Sequence, residues 1–270
     1  MHTTADGIHY VTNDLRPPWV TSGLPVVFNH GIGTSLDIWA EWVPVIAASH
    51  PMLRFDMRGF GKSAIPPEHH RWSMDEMVKD LWDVADTAGG GKVHLVGESF
   101  GGTIALAAAV ARPQRVASVT ISNGSFKGAG IGQLQYWKDE FAQGGAAGWG
   151  ERMMVHRFVP GVGDPRALAW FAGEQATTRP HVALGLGGVL AAADLTGEMK
   201  LLDVPVSIVL PDSSPFVPVQ HGTELHGLAR HSKLRVVPGV RHGLPFVHAR
   251  EEAAALLASL GEYENRGAEK

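Results

Sequence analysis

The feature that most constrains this chain is a serine between two glycines, at the point where a strand-like run meets a helical run. Residues 93–96 have the apolar character of a buried strand, Gly97-x-Ser99-x-Gly101 follows, and an apolar helical stretch continues to Ala111. In that context the pentapeptide predicts a sharp turn that exposes a nucleophile. A serine hydroxyl attacks well only when it is held exposed beside a base, and so strained a turn favours neighbours without Cβ atoms. The sequence therefore predicts Ser99 as the nucleophile.

Length and composition limit what else the chain can be. Its 270 residues suit one large α/β domain with a sizeable core. The net charge of −4 is spread without a basic block, which argues against nucleic acid or an anionic membrane as a partner. Cysteine is absent from the sequence, which excludes disulfides, thiolate zinc sites and cysteine nucleophiles. Residues 1–14 lack a signal-peptide pattern and no apolar run is long enough to span a membrane, so we expect a cytoplasmic protein.

The order of apolar runs predicts the fold class. Strand-like runs alternate with helical stretches over residues 25–122, and the alternation resumes over residues 204–263. Short apolar strands separated by helices favour an α/β fold with a mainly parallel sheet of about eight strands, flanked by helices. Residues 124–200 break this rhythm, because they contain helical pieces separated by glycine and proline. We expect a core from residues 1–123 and 201–270, with a helical cap from residues 124–200 inserted after the sixth strand.

Histidines provide the candidate base. In open parallel sheets, ligands bind beyond the carboxyl ends of the strands. His242 follows the last strand-like run through a short loop and comes after the serine, in the chain order serine, acid, histidine. We therefore predict His242 as the general base that takes the Ser99 proton. His30 competes for this role, but it precedes the serine beside a glycine loop, so we expect it to make a structural hydrogen bond. The other histidines have no spacing typical of metal ligands, and we expect no metal.

A site for acyl transfer also needs two backbone N–H groups aimed at the developing negative charge. One is expected from Phe100, the residue after the nucleophile. The other is expected from the loop that contains Gly31 and Gly33, where we predict the N–H of Ile32. The alternative is that these glycines only form a turn, which would require the same residues.

The carboxylate that would orient His242 is the least determined member of the predicted site. It is expected in the loop after the strand-like residues 206–210, where Asp212 is the only carboxylate. We predict Asp212 as this acid. The alternative is that Asp212 only forms a turn among prolines and serines.

Several motifs together resemble the α/β-hydrolase superfamily over nearly the whole chain. They are His30-Gly31-Ile32-Gly33, Asp56-x-Arg58-Gly59-x-Gly61-x-Ser63, Gly97-x-Ser99-x-Gly101-Gly102 and Pro238-x-x-x-His242. Within that superfamily, the stretch from Phe28 to Trp39 and the stretch from Trp149 to Pro160 are similar to 3-oxoadipate enol-lactonases. The resemblance implies the α/β-hydrolase fold, a serine triad that opens a lactone, and no cofactor.

One loop departs from the pattern of these hydrolases. Their acid loop usually reads Gly-Asp-x-Asp-x-x-x-Pro, with the second aspartate catalytic. Aligned on Pro218, that second position is Ser214, and Asp212 falls on the first. The end of the strand-like residues 116–122, where some members keep their acid, offers Asn123. Three alternatives stay open: Asp212 serves through a shifted loop, another carboxylate serves, or serine and histidine work without one.

The motifs predict a hydrolase that cleaves a carboxylic ester or lactone through an acyl-enzyme, with a small molecule as its substrate partner. Residues of the cap are expected to shape the substrate pocket, namely Trp137, Trp149, Met153 and Arg152. Two rival functions stay open, a carbon–carbon bond hydrolase on the same scaffold and a non-catalytic sensor of small molecules. The sequence does not decide the oligomeric state, and a homodimer stays open.

Overall fold

The computed structural model describes residues 2–129 and 134–268, with side chains up to residue 264. Its strands form one sheet with the spatial order first, second, fourth, third, fifth, sixth, seventh, eighth. The first two pairings in that order are antiparallel and the others are parallel. The strands are β1 His2–Thr3, β2 His9–Asn13, β3 Val26–Asn29, β4 Met52–Phe55, β5 Val93–Glu98, β6 Val116–Ser122, β7 Val206–Pro211 and β8 Ser232–Val237. The prediction of a mainly parallel eight-stranded α/β sheet is confirmed.

Helices connect these strands and flank the sheet. The α-helices are α1 Val43–Ile46, α2 Met74–Asp86, α3 Phe100–Ala111, α4 Leu134–Arg157, α5 Pro165–Ala176, α6 Pro180–Ala192, α7 Thr196–Met199, α8 Val219–Leu228, α9 Leu244–Val247 and α10 Ala249–Ala268. Shorter 3₁₀ helices cover Leu36–Trp42 and Pro113–Arg115. Helices α4 to α7 fill the interval between β6 and β7, where the sequence has no strand-like run.

Helix α4 differs from its prediction. Among the helical pieces predicted within residues 124–200, the sequence pattern favours two separate helices over residues 133–143 and 149–158, with the glycine-rich residues 144–148 as a loop between them. The structure continues helically through that patch and breaks only at Gly145, which has φ 61° and ψ −158°. Glycine tolerates this conformation at little steric cost, so the chain turns there and resumes the helix at once. Residue 133, the predicted first residue, lies outside the described residues.

The sheet is buried on both faces because its central strands are apolar throughout. All residues of β3 and β5 are buried. Successive side chains of a strand point to opposite faces, and accordingly Val27 packs into the cluster that includes α2 and α3, while Val26 and Phe28 pack into the cluster that includes α10. This two-sided burial is the physical reason for the continuous apolar runs in the sequence.

The parallel strands end together along one edge of the sheet. Asn29, Gly97 and Ile121 are paired across β3, β5 and β6, and Ile121 is paired with Ile208 of β7. The residues that follow these strands are therefore neighbours in space although they are far apart in sequence. The turn that carries Ser99, the glycine loop after β3 and the loop after β7 all leave the sheet at this edge.

Candidate active site

Ser99 lies on a strained turn between β5 and α3. Its φ is 54° and its ψ is −123°, a conformation that non-glycine residues seldom adopt. Its backbone N–H donates to Ser122 O at 2.9 Å, which ties the turn to β6. A Cβ at Gly97 would lie 2.2 Å from Gly101 O, and a Cβ at Gly101 would lie 2.4 Å from His30 O. Both glycines are thus required by close backbone contacts, as the motif suggested.

His30 holds the glycine loop that follows β3. Its Nε2 accepts from the Met57 N–H at 2.9 Å, so the ring proton is on Nδ1, which donates to Gly31 O at 2.7 Å. The ring is fully buried, and burial lowers the pKa of His30 from its ordinary value. A neutral histidine fixed on both nitrogens is a structural residue, which is the role that the sequence suggested.

The predicted oxyanion donors flank the nucleophile. Within the described part of the chain, neither the Ile32 N–H nor the Phe100 N–H has an acceptor. The loop passes so close to the serine that a Cβ at Gly31 would lie 2.8 Å from Ser99 Cβ. Free N–H groups at the start of a helix and in an adjacent loop can stabilise an oxyanion when they point to the same position. The two groups are available for that role.

His242 is buried against the nucleophile turn, with 1% of its surface exposed. Its Nδ1 lies 3.0 Å from Ser214 Oγ, and its Nε2 lies 3.6 Å from Glu98 Oε1. The ring also meets Phe216 edge-on, at 4.7 Å between centroids. Burial, with the charge of Arg157 added to it, holds the pKa of His242 well below its ordinary value. The imidazole is therefore neutral at pH 7, as a general base must be.

The backbone around His242 is fixed from two sides. Asn123 has φ 57° at the end of β6, and its Nδ2 donates to His242 O. On the other side, Gly243 N donates to Arg157 O at 2.7 Å, which joins the histidine loop to the end of α4. Asn123 stands where some hydrolases keep their acid, but here it holds the histidine backbone and not the ring.

Asp212 does not reach His242, which corrects the prediction from the sequence. Its side chain is exposed and accepts from Ser213 Oγ at 2.7 Å and from Gly239 N at 2.8 Å. The Asp212 carboxylate is thus used by the turn after β7, which is the alternative stated for it. Ser214, half-buried, faces Nδ1 in its place.

Two charged residues lie beside the histidine, and Glu98 is the one of them that was missed as a site member from the sequence. Glu98 precedes the nucleophile, is 2% exposed, and accepts from Arg157 Nη1 at 3.3 Å. Arg157 is also buried, and its Nη2 donates to Ile32 O at 2.8 Å. Burial raises the pKa of Glu98 against the opposing charge of Arg157. The only signals in the sequence were an acidic residue inside the Gly-x-Ser-x-Gly motif and an arginine in the stretch that resembles enol-lactonases.

A narrow cavity opens in front of Ser99. Its volume is about 40 Å³, enough for only a few water molecules. The walls are mainly apolar and come from the turn, the histidine loop and helices α4 and α6. The lining residues are Ile32, Ser99, Thr103, Ser125, Leu134, Trp137, Arg157, Gly187, Leu190, Phe216, Val217 and His242.

Of the predicted substrate-binding residues, the structure brings only Trp137 to this cavity. Trp149 is fully buried behind it, 5.5 Å from the Trp137 ring and close to the backbone of Gly33. Met153 is also fully buried and belongs to the core. The Arg152 side chain is 65% exposed and its Nε lies 3.5 Å from Glu140 Oε2, away from the cavity lining. These three placements correct the prediction.

Metal clusters and membrane-spanning helices are both absent from the described residues. They contain no group of three or more histidine, aspartate or glutamate side chains that could hold a metal ion. Within the same ranges, no helix is both long and apolar enough to cross a membrane.

Known proteins share the sequence pattern and the fold of this chain. The putative carbamate hydrolase RutD of Caulobacter segnis is 35% identical over 124 residues, which are 45% of this chain and 44% of that protein. The 2-hydroxymuconate semialdehyde hydrolase of Pseudomonas sp. CF600 is 38% identical over 98 residues, 35% of this chain and 34% of that protein. The chain thus matches less than half the length of these curated relatives. An enol-lactonase from Burkholderia xenovorans LB400 has the same fold, with a TM-score of 0.82 at 19% identity over 94% of this chain and 96% of that one.

The class of the chain follows from its strand order, from the strained serine turn and from the histidine after the last strand. The chain belongs to the alpha/beta hydrolase fold family, whose sequence profile matches residues 25–249. The resemblance found in the motifs is confirmed by that match.

Proposed function

We propose that the chain is a serine hydrolase that cleaves an uncharged carboxylic ester or lactone through an acyl-enzyme. The observation that carries the proposal is the convergence of three features on one cavity. Ser99 lies there on its strained turn, the neutral His242 lines the same walls, and Ile32 carries an N–H without an acceptor in the described residues. These are the parts that acyl transfer to a serine needs.

The proposed reaction runs in two halves. Ser99 Oγ attacks the substrate carbonyl while His242 Nε2 takes the hydroxyl proton. The N–H groups of Ile32 and Phe100 hold the oxyanion of the tetrahedral intermediate. His242 then gives the proton to the leaving alkoxide, which departs as an alcohol. In the second half, water gives a proton to His242 and attacks the acyl carbon. The bond from the acyl carbon to Ser99 Oγ then breaks, Ser99 Oγ takes the proton back from His242, and the acid is released.

The cavity walls favour a small and uncharged substrate. Trp137 and Phe216 provide apolar surface, and little space is left between the walls. Among the described residues that line the cavity, Arg157 is the one charged side chain, and it is already paired with Glu98. A substrate carboxylate would have to compete with Glu98 for that guanidinium, so a neutral acyl group fits the electrostatics better.

A series of p-nitrophenyl esters, from acetate to octanoate, tests the proposal together with uncharged lactones. We expect the short esters to be turned over faster than the long ones. Ser99→Ala is expected to lower kcat by at least ~10³-fold, since the nucleophile is lost. Ser213→Ala, a change at an exposed serine, is the matched control and should stay within a few-fold of wild type. Ester turnover that survives Ser99→Ala would end the proposal.

A carbon–carbon bond hydrolase is the second candidate, and one contact favours it. Arg157 lines the cavity, and its buried Nε has no acceptor among the described side chains. A free N–H of this kind suits an enolate or carboxylate oxygen. The relative named 2-hydroxymuconate semialdehyde hydrolase points the same way, over the part of the chain that it matches. Loss of the absorbance of a dienolate ring-cleavage product, without ester turnover, would favour this candidate.

A further inference from the structure

The base in a serine hydrolase becomes an imidazolium when it takes the serine proton. A buried imidazolium needs a nearby negative charge, because desolvation disfavours the charged form. In a triad this charge is an aspartate on Nδ1, which also orients the ring. Here the Nδ1 position of His242 is taken by Ser214, a neutral side chain. The site therefore needs its negative charge from another direction.

Ser214 can orient the ring but cannot neutralise it. Its Oγ lies 3.0 Å from His242 Nδ1, and it accepts from the N–H groups of Phe216 and Val217 at 3.3 Å each. The two longer backbone contacts share one lone pair of the hydroxyl oxygen, and its other lone pair accepts from Nδ1–H, which leaves Nε2 free to act as the base. A hydroxyl carries no charge, so it offers no Coulomb energy to the imidazolium.

Glu98 is the carboxylate that approaches the ring most closely among the described residues. Its Oε1 lies 3.6 Å from His242 Nε2, and both side chains are almost fully buried. Nε2 is the nitrogen that receives the Ser99 proton. The Glu98 carboxylate thus lies beside the nitrogen that is protonated when the imidazolium forms. Water is excluded there, which strengthens the attraction between the two charges.

The other charged groups around His242 do not replace Glu98. Arg157, at the end of α4, is a cation and works against an imidazolium. It lies 3.3 Å from Glu98 Oε1, and a protonated Glu98 would leave this buried guanidinium without a partner. The charge of Arg157 thus favours the carboxylate form of Glu98, in opposition to the burial that raises its pKa. Arg241, next to His242 in the chain, turns its Nη1 to carbonyl groups at the end of α4.

We propose that Glu98 supplies the negative charge that an aspartate on Nδ1 supplies in a triad, while Ser214 keeps only the orienting role. Glu98 is a positioning residue in this scheme, because it acts through His242. The proton passes from Ser99 Oγ to His242 Nε2 and then to the leaving alkoxide, and Glu98 itself neither gains nor loses one. The inference rests on the proposed hydrolase function and names the third member of its relay.

Glu98→Gln tests the charge at nearly unchanged shape. A carboxylate at this distance shifts the pKa of an oppositely charged partner by ~1–3 units. Each unit corresponds to a factor of ten in the stability of the imidazolium, so we expect kcat to fall by ~10- to 10³-fold with KM nearly unchanged. The acid limb of the profile of kcat/KM against pH should move to lower pH, because the imidazolium loses its counter-charge. An unmoved acid limb would overturn the proposal, since a merely structural loss leaves the histidine pKa where it was.

Ser214→Asp provides the rescue experiment, since it places a carboxylate at the usual position on Nδ1. We expect it to raise kcat far more in the Glu98→Gln background than in wild type, because one carboxylate then replaces the other. Equal gains in both backgrounds would mean that Glu98 and the Nδ1 position act independently, and would contradict the proposal.

If Glu98→Gln does not fold, the gain in kcat from Ser214→Asp alone still tests whether Glu98 supplies the negative charge. A site with no acid should gain on the order of 10⁴ in kcat from the new aspartate, whereas a site already served by Glu98 should gain less than ~10²-fold. The larger gain would overturn the proposal.

An NMR titration of the His242 ring separates this inference from the proposed function. We expect Glu98→Gln to lower the pKa of His242 by about one unit or more, whether or not any ester is turned over. Ester hydrolysis by Ser99 with an unchanged His242 pKa would remove Glu98 from the relay and leave the hydrolase. A lowered pKa in a protein without ester turnover would keep the Glu98–His242 coupling and remove the proposed function.

Discussion

Two arginines of helix α4 should differ sharply in their importance for stability. Arg157 is 5% exposed and donates to Glu98 and to Ile32 O. Arg152, five residues earlier, has a side chain that is 65% exposed and faces Glu140 at 3.5 Å. Each arginine thus has a glutamate partner, but only one pair is out of water. Substitution of each by methionine keeps most of the side-chain length and removes the charge.

The burial of each ion pair sets the size of this difference in stability. Removing one partner of a buried ion pair costs ~3–5 kcal/mol, because the remaining charge is left without compensation. An exposed pair contributes ~0–1 kcal/mol. We expect Arg157→Met to lower the free energy of unfolding by ~3–5 kcal/mol, and Arg152→Met by less than ~1 kcal/mol. In a chain of this size the first change corresponds to a fall of roughly 10 °C in Tm.

Urea unfolding followed by tryptophan fluorescence and by circular dichroism measures both variants. The double variant Arg157→Met with Glu98→Gln should be more stable than Arg157→Met alone, since it removes the carboxylate that was left unpaired. The reasoning is refuted if the two single variants agree within 1 kcal/mol, or if the double variant is no more stable than Arg157→Met.

Three further outcomes follow from the site. Gly31→Ala places a Cβ 2.2 Å from Glu98 Oε2 and 2.8 Å from Ser99 Cβ. Steady-state assays should therefore show kcat lower by ~10²-fold or more. Activity near wild type would contradict the close approach of this loop to Ser99. His242 must be neutral to act, and burial and the charge of Arg157 lower its pKa. The acid limb of the profile of kcat/KM against pH should therefore lie below about pH 6.5. An acid limb above pH 7 would contradict a buried base. Asp212→Asn should change kcat less than ~3-fold, because this carboxylate serves a surface turn; a loss near 10⁴ would restore it as the acid.

The fold and the strained turn at Ser99 could be predicted because their signals are local. Gly97, Ser99 and Gly101 lie within one pentapeptide, and the close contacts that require the glycines arise from the same turn. The strands of the sheet have short apolar runs because they are buried on both faces. Patterns of this kind stay visible in sequence, since neighbours along the chain are also neighbours in the structure.

The acid position could not be predicted because it depends on contacts between distant segments. Asp212 N donates to Val237 O and its side chain accepts from Gly239 N, so the end of β8 decides which way the aspartate points. Glu98 and Arg157 are 59 positions apart in sequence and meet only when α4 packs over the turn. Spacing along the chain carries no trace of such a pair.

The break in helix α4 explains why three cap residues were wrongly predicted to line the substrate pocket. The break at Gly145 changes the direction of α4, and the face that its second half turns to the sheet cannot be extrapolated from the first half. Trp149 and Met153 therefore point into the core, Arg152 points to solvent, and Arg157 reaches the site. The large side chains of the cap were visible in the sequence, but the sequence did not show which of them would line a cavity.

Covalent trapping at Ser99 tests the central claim most directly. The protein is treated with a fluorophosphonate, and the modified peptide is identified by mass spectrometry, with Ser99→Ala and His242→Ala beside the wild type. The account predicts one adduct per chain on Ser99, none in Ser99→Ala, and much slower labelling in His242→Ala, because the base activates the hydroxyl. No adduct on Ser99, together with ester turnover that persists in Ser99→Ala, would contradict the account.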